Sequence, residues 1–227
     1  MTLSDIRNYR DLIQNNVYIE GSAHGNISKK ETLILSSKLR NSFGYKAIKK
    51  ENCYTNKKVD LEAGQQVVNI IQSKVNNSSY VSLYHIGENS PKDRAIAMLL
   101  NTYISQPYYS ELRTNQQLGY IVGSGAYSRN NSSWMYCLIQ SDAYTADEVE
   151  SRSLEFLNQA VKNLSSLSAN DFNRFKTAVE EKINEKSTSI LKEASKRHQI
   201  AFVFNNNVKR DKETLSALEN ITIEELA

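Results

Sequence analysis

Proline and glycine are scarce in this 227-residue chain, two and eight residues respectively, so long unstructured linkers are not expected. Cysteine is almost absent. Cys53 and Cys137 stand alone without a C-x-x-C partner, which leaves either one disulfide or, more simply, two unpaired thiols. No apolar run approaches the roughly 18–20 residues that a membrane span requires. Asp5, Arg7, Arg10 and Asp11 interrupt any apolar core that a signal peptide would need at the N-terminus. The charge is nearly balanced, 28 basic against 25 acidic residues, which describes a mixed surface rather than a nucleic-acid footprint. Only three histidines occur, His24, His85 and His198, and none has the spacing that would place two metal ligands on one helix face. Phosphate-binding glycine loops and a nucleophile elbow are missing too.

What is present is a set of legible helix starts. A capping Ser or Thr followed three residues later by an acid occurs at Ser28/Glu31, Thr145/Glu148, Ser168/Asp171 and Thr222/Glu225, and Ser90-Pro91 with Asp93 is a related start. The first opens a helix carrying Ile34, Leu35 and Leu39. The second carries Val149, Phe156, Leu157, Ala160, Val161 and Leu164. The third carries Phe172, Phe175, Val179 and Ile183 and extends toward Ile190, Leu191 and Ala194. The helix after Ser90 should bury Ile96, Leu99, Leu100, Tyr103 and Ile104, with Pro107 ending or kinking it. His85 is expected beside Tyr84, and His198 at the end of a basic helix.

Strand-like runs lie between these helices. Val17-Tyr18-Ile19 is short. Val67–Ile71 and Tyr80–Ile86 flank Asn76-Asn77-Ser78-Ser79, and Tyr120–Tyr127 and Trp134–Ile139 flank Arg129–Ser133, so two hairpins are predicted. The fold class is therefore α+β, an antiparallel or mixed sheet with helices packed on one face. Residues 1–45 read as a small strand-and-helix piece, 46–63 as a basic linker containing Lys46, Lys49, Lys50, Lys57 and Lys58, and 64–227 as the main domain. The last start signal, at Thr222, leaves room for barely one turn, and a single turn does not hold alone. The chain is accordingly expected to be part of something longer.

The segment Leu112-Arg113-Thr114 followed by Gln117-Leu118-Gly119-Tyr120-Ile121-Val122 closely resembles the signature of the insulinase–pitrilysin zinc metallopeptidases, in the last of their four homologous domains. Ile139-Gln140-Ser141, Val149-Glu150-Ser151-Arg152 and Phe156-Leu157 extend the likeness, and His24-Gly25-Asn26 resembles the close of the preceding domain. Asn115-Gln116 departs from the basic-acidic pair usual there, a change expected to alter surface charge only. The resemblance implies that residues 1–45 are the tail of a third domain and 64–227 a truncated fourth.

It also implies a role. Arg113 and Tyr120 match positions that reach across a closed chamber to bind the peptide backbone near the scissile bond, where a guanidinium and a phenol can stabilise developing negative charge. No ligand of the family's zinc appears here, so this part carries no catalytic or metal residues, and the zinc and general base belong to an N-terminal half. The partners implied are that half and peptide substrates, with a homodimer left open. No nucleic acid and no membrane span are expected, and the missing targeting region leaves the compartment open. The alternative reading is a non-catalytic subunit or scaffold of a split peptidase; a nucleic-acid binder using the lysines of 46–58 is a weak third.

Overall fold

In a computed structural model, residues 1–43, 46–54, 62, 64–129 and 131–226 are described. The chain divides into two compact units, Met1–Asp60 with Ser187–Asn207, and Leu61–Lys186 with Val208–Ala227.

The first unit holds α1 (Leu3–Asn15), α2 (Lys29–Phe43), a short 3-10 turn at Lys50–Asn52, α6 (Ile190–His198) and a π-helical turn at Gln199–Val203. Local chemistry sets the helix starts. The Thr2 hydroxyl accepts from the Asp5 amide in a full capping box, Ser28 and Glu31 form the same reciprocal pair, and Ser189 caps α6. Among the described residues no side chain in this unit is fully buried, and Leu3, Ile6, Tyr9 and Leu12 form an exposed stripe along α1. The strand expected at Val17-Tyr18-Ile19 is only a single parallel bridge, Val17 to Ala47. Lys50, one of the expected linker lysines, pairs with Glu20 at 3.0 Å; Lys57 and Lys58 lie outside the described residues.

The second unit is built on β1 (Ser78–Gly87), β2 (Ile121–Arg129) and β3 (Ser132–Ser141), with α3 (Pro91–Tyr108), α4 (Ala146–Leu164), α5 (Ala169–Asn184) and α7 (Arg210–Asn220). The sheet is antiparallel in the order β1-β3-β2. Its rungs alternate faces: Tyr80, Ile139 and Val122 align on one face, as do Ser82, Cys137 and Ser124. This face packs beneath α3 and α4 on Ile104, Tyr108, Leu112, Leu118 and Val149. A second cluster, Ala95, Leu99, Phe172, Val179, Leu218 and Ile221, joins α3 to α5 and α7. The expected α+β class with helices on one face of the sheet is the architecture seen.

Several local expectations change. The β2–β3 hairpin forms, and tightly, since Arg129 pairs with Ser132. The first predicted hairpin does not. β1 takes β3 as its partner, and Val67, Val68, Ile70 and Ile71 stay unpaired and exposed. The third helix does not run on to Ile190: it ends at Asn184, and Ser189 starts α6 afresh. Val161, expected on the buried face of α4, is 60% exposed. His85 does not sit beside Tyr84, since neighbours on a strand point to opposite faces; its ring lies 4.8 Å from Trp134 instead. Pro107 lies one residue before the end of α3 at Tyr108, where the chain widens directly into a π-helical segment, Tyr109–Asn115.

Buried polar groups tie the layers together. The Tyr108 hydroxyl lies 2.7 Å from Ser153 Oγ, and the Tyr103 hydroxyl donates to the Ala160 carbonyl at 2.9 Å. Arg94, 7% exposed, donates to Thr214 Oγ1 at 2.9 Å and to the Asn89 carbonyl at 2.6 Å, with Glu213 at 3.8 Å. Burial, with Arg94 nearby, pulls the Arg210 guanidinium down to about 10. Both thiols are free.

Burial pushes the Cys137 thiol up to about 12, and raises the hydroxyls of Tyr80, Tyr84, Tyr103 and Tyr108 above the ordinary phenol value. These groups stay protonated in the fold at pH values where the unfolded chain releases their protons. The native state therefore binds more protons there, and stability falls as pH rises. We expect the urea midpoint to decline from about pH 9 upward. At pH 8 one thiol, Cys53, should react with a disulfide reagent in the folded chain and two should react in urea; rapid labelling of both in the native chain would contradict this burial.

Candidate functional site

The segment from Tyr108 to Val122 is pinned at intervals. Tyr108, Leu112 and Leu118 are fully buried and Val122 nearly so, and all four belong to the core under the sheet. Between these anchors the backbone is unusual. The Gln116 amide donates to the Glu111 carbonyl and the Leu118 amide to the Leu112 carbonyl, both at 2.9 Å, so the π-helical turn closes on itself. Gln117 then adopts a left-handed φ of 54°. Gly119 passes so close to β3 that an added Cβ would stand 1.9 Å from the Gln140 carbonyl oxygen. Only glycine fits there.

This scaffold holds Arg113 and Tyr120 without occupying them. Arg113 follows the buried Leu112 and is itself half-buried. Tyr120 sits between Gly119 and the first residue of β2, 83% exposed. Among the described residues neither side chain has a hydrogen-bonding or ion-pair partner, and no bond joins one to the other. Their backbones are fixed while their donors remain available.

A supporting network was not legible beforehand. Glu111 accepts from Asn115 Nδ2 at 2.7 Å and from Gln116 Nε2 at 3.0 Å, and these bonds lower its carboxyl below the usual range. Gln116 Oε1 accepts in turn from Arg152 on α4 at 3.5 Å, and the Arg152 guanidinium lies 4.7 Å over the Tyr144 ring. Asn115-Gln116 thus does more than alter surface charge, since both amides brace the turn that carries Arg113. The Glu111–Asn115 pair at i,i+4 could have been read from spacing. The link to Arg152 could not, because it crosses between elements.

The histidines do not converge. His24 lies in an irregular segment of the first unit, His85 stacks with Trp134, and His198 ends α6 with Phe202 4.7 Å away. Among the described residues no three His, Cys, Asp or Glu side chains are grouped as a metal site would need. These residues do not fit a zinc ion.

A family profile described as "PQQ synthase PqqF-like, C-terminal lobe domain 4" matches residues 99–198, the stretch from the second half of α3 through the π-helical turn, the β2–β3 hairpin, α4 and α5 to the end of α6. A nardilysin-like protein of Arabidopsis thaliana is 22% identical over 201 residues, which is 86% of this chain and 20% of that protein. Human insulin-degrading enzyme is 23% identical over 231 residues, covering 100% of this chain and 23% of its own length. The chain is thus similar to peptidases of the insulinase–pitrilysin family. Its match is to the C-terminal portion of those proteins, and it spans about a fifth of the length of these curated relatives. The crystal structure of pitrilysin shares the fold, with a TM-score of 0.70 and 21% identity, over 100% of this chain and 24% of that one.

Within this insulinase-type fold, Gly119→Ala should lower the free energy of unfolding by about 3 kcal/mol or more, because backbone must move to admit the methyl group. Gly123→Ala is the control: nothing lies within 4 Å of its added Cβ, and stability should hold within about 1 kcal/mol. Gln116→Ala should cost about 1 kcal/mol and speed amide exchange across 111–118, with less than additive loss on combination with Arg152→Ala. Equal urea midpoints for the two glycine variants would contradict the close approach to Gln140.

Proposed function

We propose that this chain is the non-catalytic C-terminal part of a zinc-dependent endopeptidase, closing the chamber and binding peptide opposite the zinc site through Arg113 and Tyr120. In this reading residues 1–45 are the tail of the preceding homologous domain, 46–63 the linker and 64–227 the final domain. The observation that supports it most is the pairing of fixed backbone with uncommitted donors. Leu112 and Leu118 are fully buried on either side, yet the Arg113 guanidinium and the Tyr120 hydroxyl have no partner among the described residues. A guanidinium stays charged at any working pH and can donate to carbonyl oxygens at two points, while a phenol adds a third donor. Two such donors beside a peptide backbone orient it and meet the charge that grows on a carbonyl oxygen under attack. In this reading the metal and the general base come from the N-terminal half.

In the complete enzyme, Arg113→Ala and Tyr120→Phe should each lower peptide turnover, by roughly 10²–10³-fold where the lost donor acts on the oxyanion. Zinc content should be unchanged in both, and the isolated 227-residue chain should retain no stoichiometric zinc. Unchanged kinetics in both variants would favour the non-catalytic scaffold subunit instead, and a tightly held zinc on the isolated chain would overturn the division of labour.

A further inference from the structure

We propose that the open face of the sheet carries a platform of aromatic rings, a subsite for an aromatic side chain that lies well away from the bond to be cut. The inference rests on the peptide-binding reading above and names the kind of peptide that such a site selects.

One face of β1, β2 and β3 meets the helices, and the other does not have the composition of a solvated surface. An antiparallel sheet with one covered face normally alternates apolar inward with polar outward. Here the outward positions are apolar as well. Val81 and Leu83 on β1 are 54% and 56% exposed, and Ile121 and Tyr127 on β2 are exposed beside them. Arg129, at the hairpin end, is the only outward residue of the three strands with a fixed charge. An uncharged apolar face of this kind marks a contact surface.

The rings gather near that end. His85, Trp134 and Tyr127 stand opposite one another on a single rung that crosses all three strands, with the His85 and Trp134 centroids 4.8 Å apart. On the next rung of the same face Tyr136 stands opposite Gly125. Its ring lies across that glycine, since an added Cβ there would stand 2.5 Å from the ring's Cε1. The bare glycine thus lets Tyr136 cover the outer strand, 6.1 Å from Tyr127. Among the described residues the Trp134 indole N–H and the Tyr127 and Tyr136 hydroxyls have no hydrogen-bond partner. Rings with an apolar body and an unspent polar tip are suited to taking up a further ring.

The occupant follows from the other end of the same strand. Tyr120, one of the two donors proposed to hold the peptide backbone, directly precedes Ile121, and Tyr127 lies further along β2. At about 3.3 Å per residue the separation is roughly 23 Å, the span of about six or seven residues of extended peptide. A peptide held at Tyr120 and laid over this face crosses Gly123, where an added Cβ meets nothing within 4 Å, before it reaches the rings. Pairing with a strand edge is not required, because the rings read a side chain and not the backbone. The ligand class is therefore a peptide with Phe, Tyr or Trp about six or seven residues from the gripped carbonyl.

Trp134 is the only tryptophan of the chain, so its emission reports on the platform alone. The test titrates the 227-residue chain with end-blocked peptides that carry one phenylalanine followed by a tail of alternating threonine and glycine. The tail is either about two residues, too short to reach Tyr120, or about eight; serine replaces the phenylalanine in the controls. Each phenylalanine peptide should shift Trp134 emission to the blue and bind about tenfold tighter than its serine counterpart. Tyr127→Ser, and Gly125→Ala, which displaces the Tyr136 ring, should each abolish that advantage. Only the long peptide should weaken with Arg113→Ala or Tyr120→Phe. Equal binding of phenylalanine and serine peptides, an unmoved emission, or an equal shift with maltose would overturn the platform. So would a blue shift that grows with chain concentration in the absence of peptide, because a second copy would then cover the face. A long peptide weakened by Arg113→Ala and Tyr120→Phe but indifferent to phenylalanine would leave the donors standing and remove the rings. A full phenylalanine effect that ignores both donor variants at either length would keep the rings and remove the donors.

Discussion

Strand β3 is the element on which the rest of this fold depends. It is paired on both sides, its residues Met135, Cys137 and Ile139 are buried beneath the helices, and its Gln140 carbonyl is the surface against which Gly119 closes. A strand so placed must satisfy its backbone, its core face and a close backbone neighbour at once. The position of the Arg113–Tyr120 segment follows from it, because the turn that leads into β2 can be no wider than the gap at Gly119 permits.

The same arrangement separates rigidity from commitment. Core anchors recur along the π-helical turn at Tyr108, Leu112 and Leu118, and the amides of Asn115 and Gln116 brace it through Glu111. The backbone loses its freedom in the fold, so the side chains that project between the anchors need not lose it again on meeting a ligand. Binding sites gain when the ordering cost is met before the partner arrives. In physical terms the segment is built of large apolar residues at set intervals, a glycine where two backbones touch, and two strong donors without partners among the described residues.

How much of this was legible in the sequence depended on range. Ser90, Thr145 and Ser168 announced their helices because a cap is decided within one turn by groups three residues apart. The β2–β3 hairpin was legible for a similar reason, since few residues separate its strands. Val67–Ile71 carried the composition of a strand as plainly as Tyr80–Ile86 did, yet only the latter found a partner, and composition does not say which neighbour a strand will meet. The π-helical turn was hidden because proline forbids a donor without dictating how the chain compensates. Arg113 and Tyr120 were picked out by likeness to a family rather than by local pattern, and the bracing by Gln116 and Arg152 was invisible because it joins two elements only after folding.

Arg94 offers a last point. Its buried guanidinium at the start of α3 is held by Thr214 and Glu213 on α7, 120 positions along the chain from the first of these. A buried cation tolerates the loss of its partners badly. The two distant stretches are therefore coupled through one buried charge, and grafting this domain's tail onto another scaffold would mean transplanting the first turn of α3 as well.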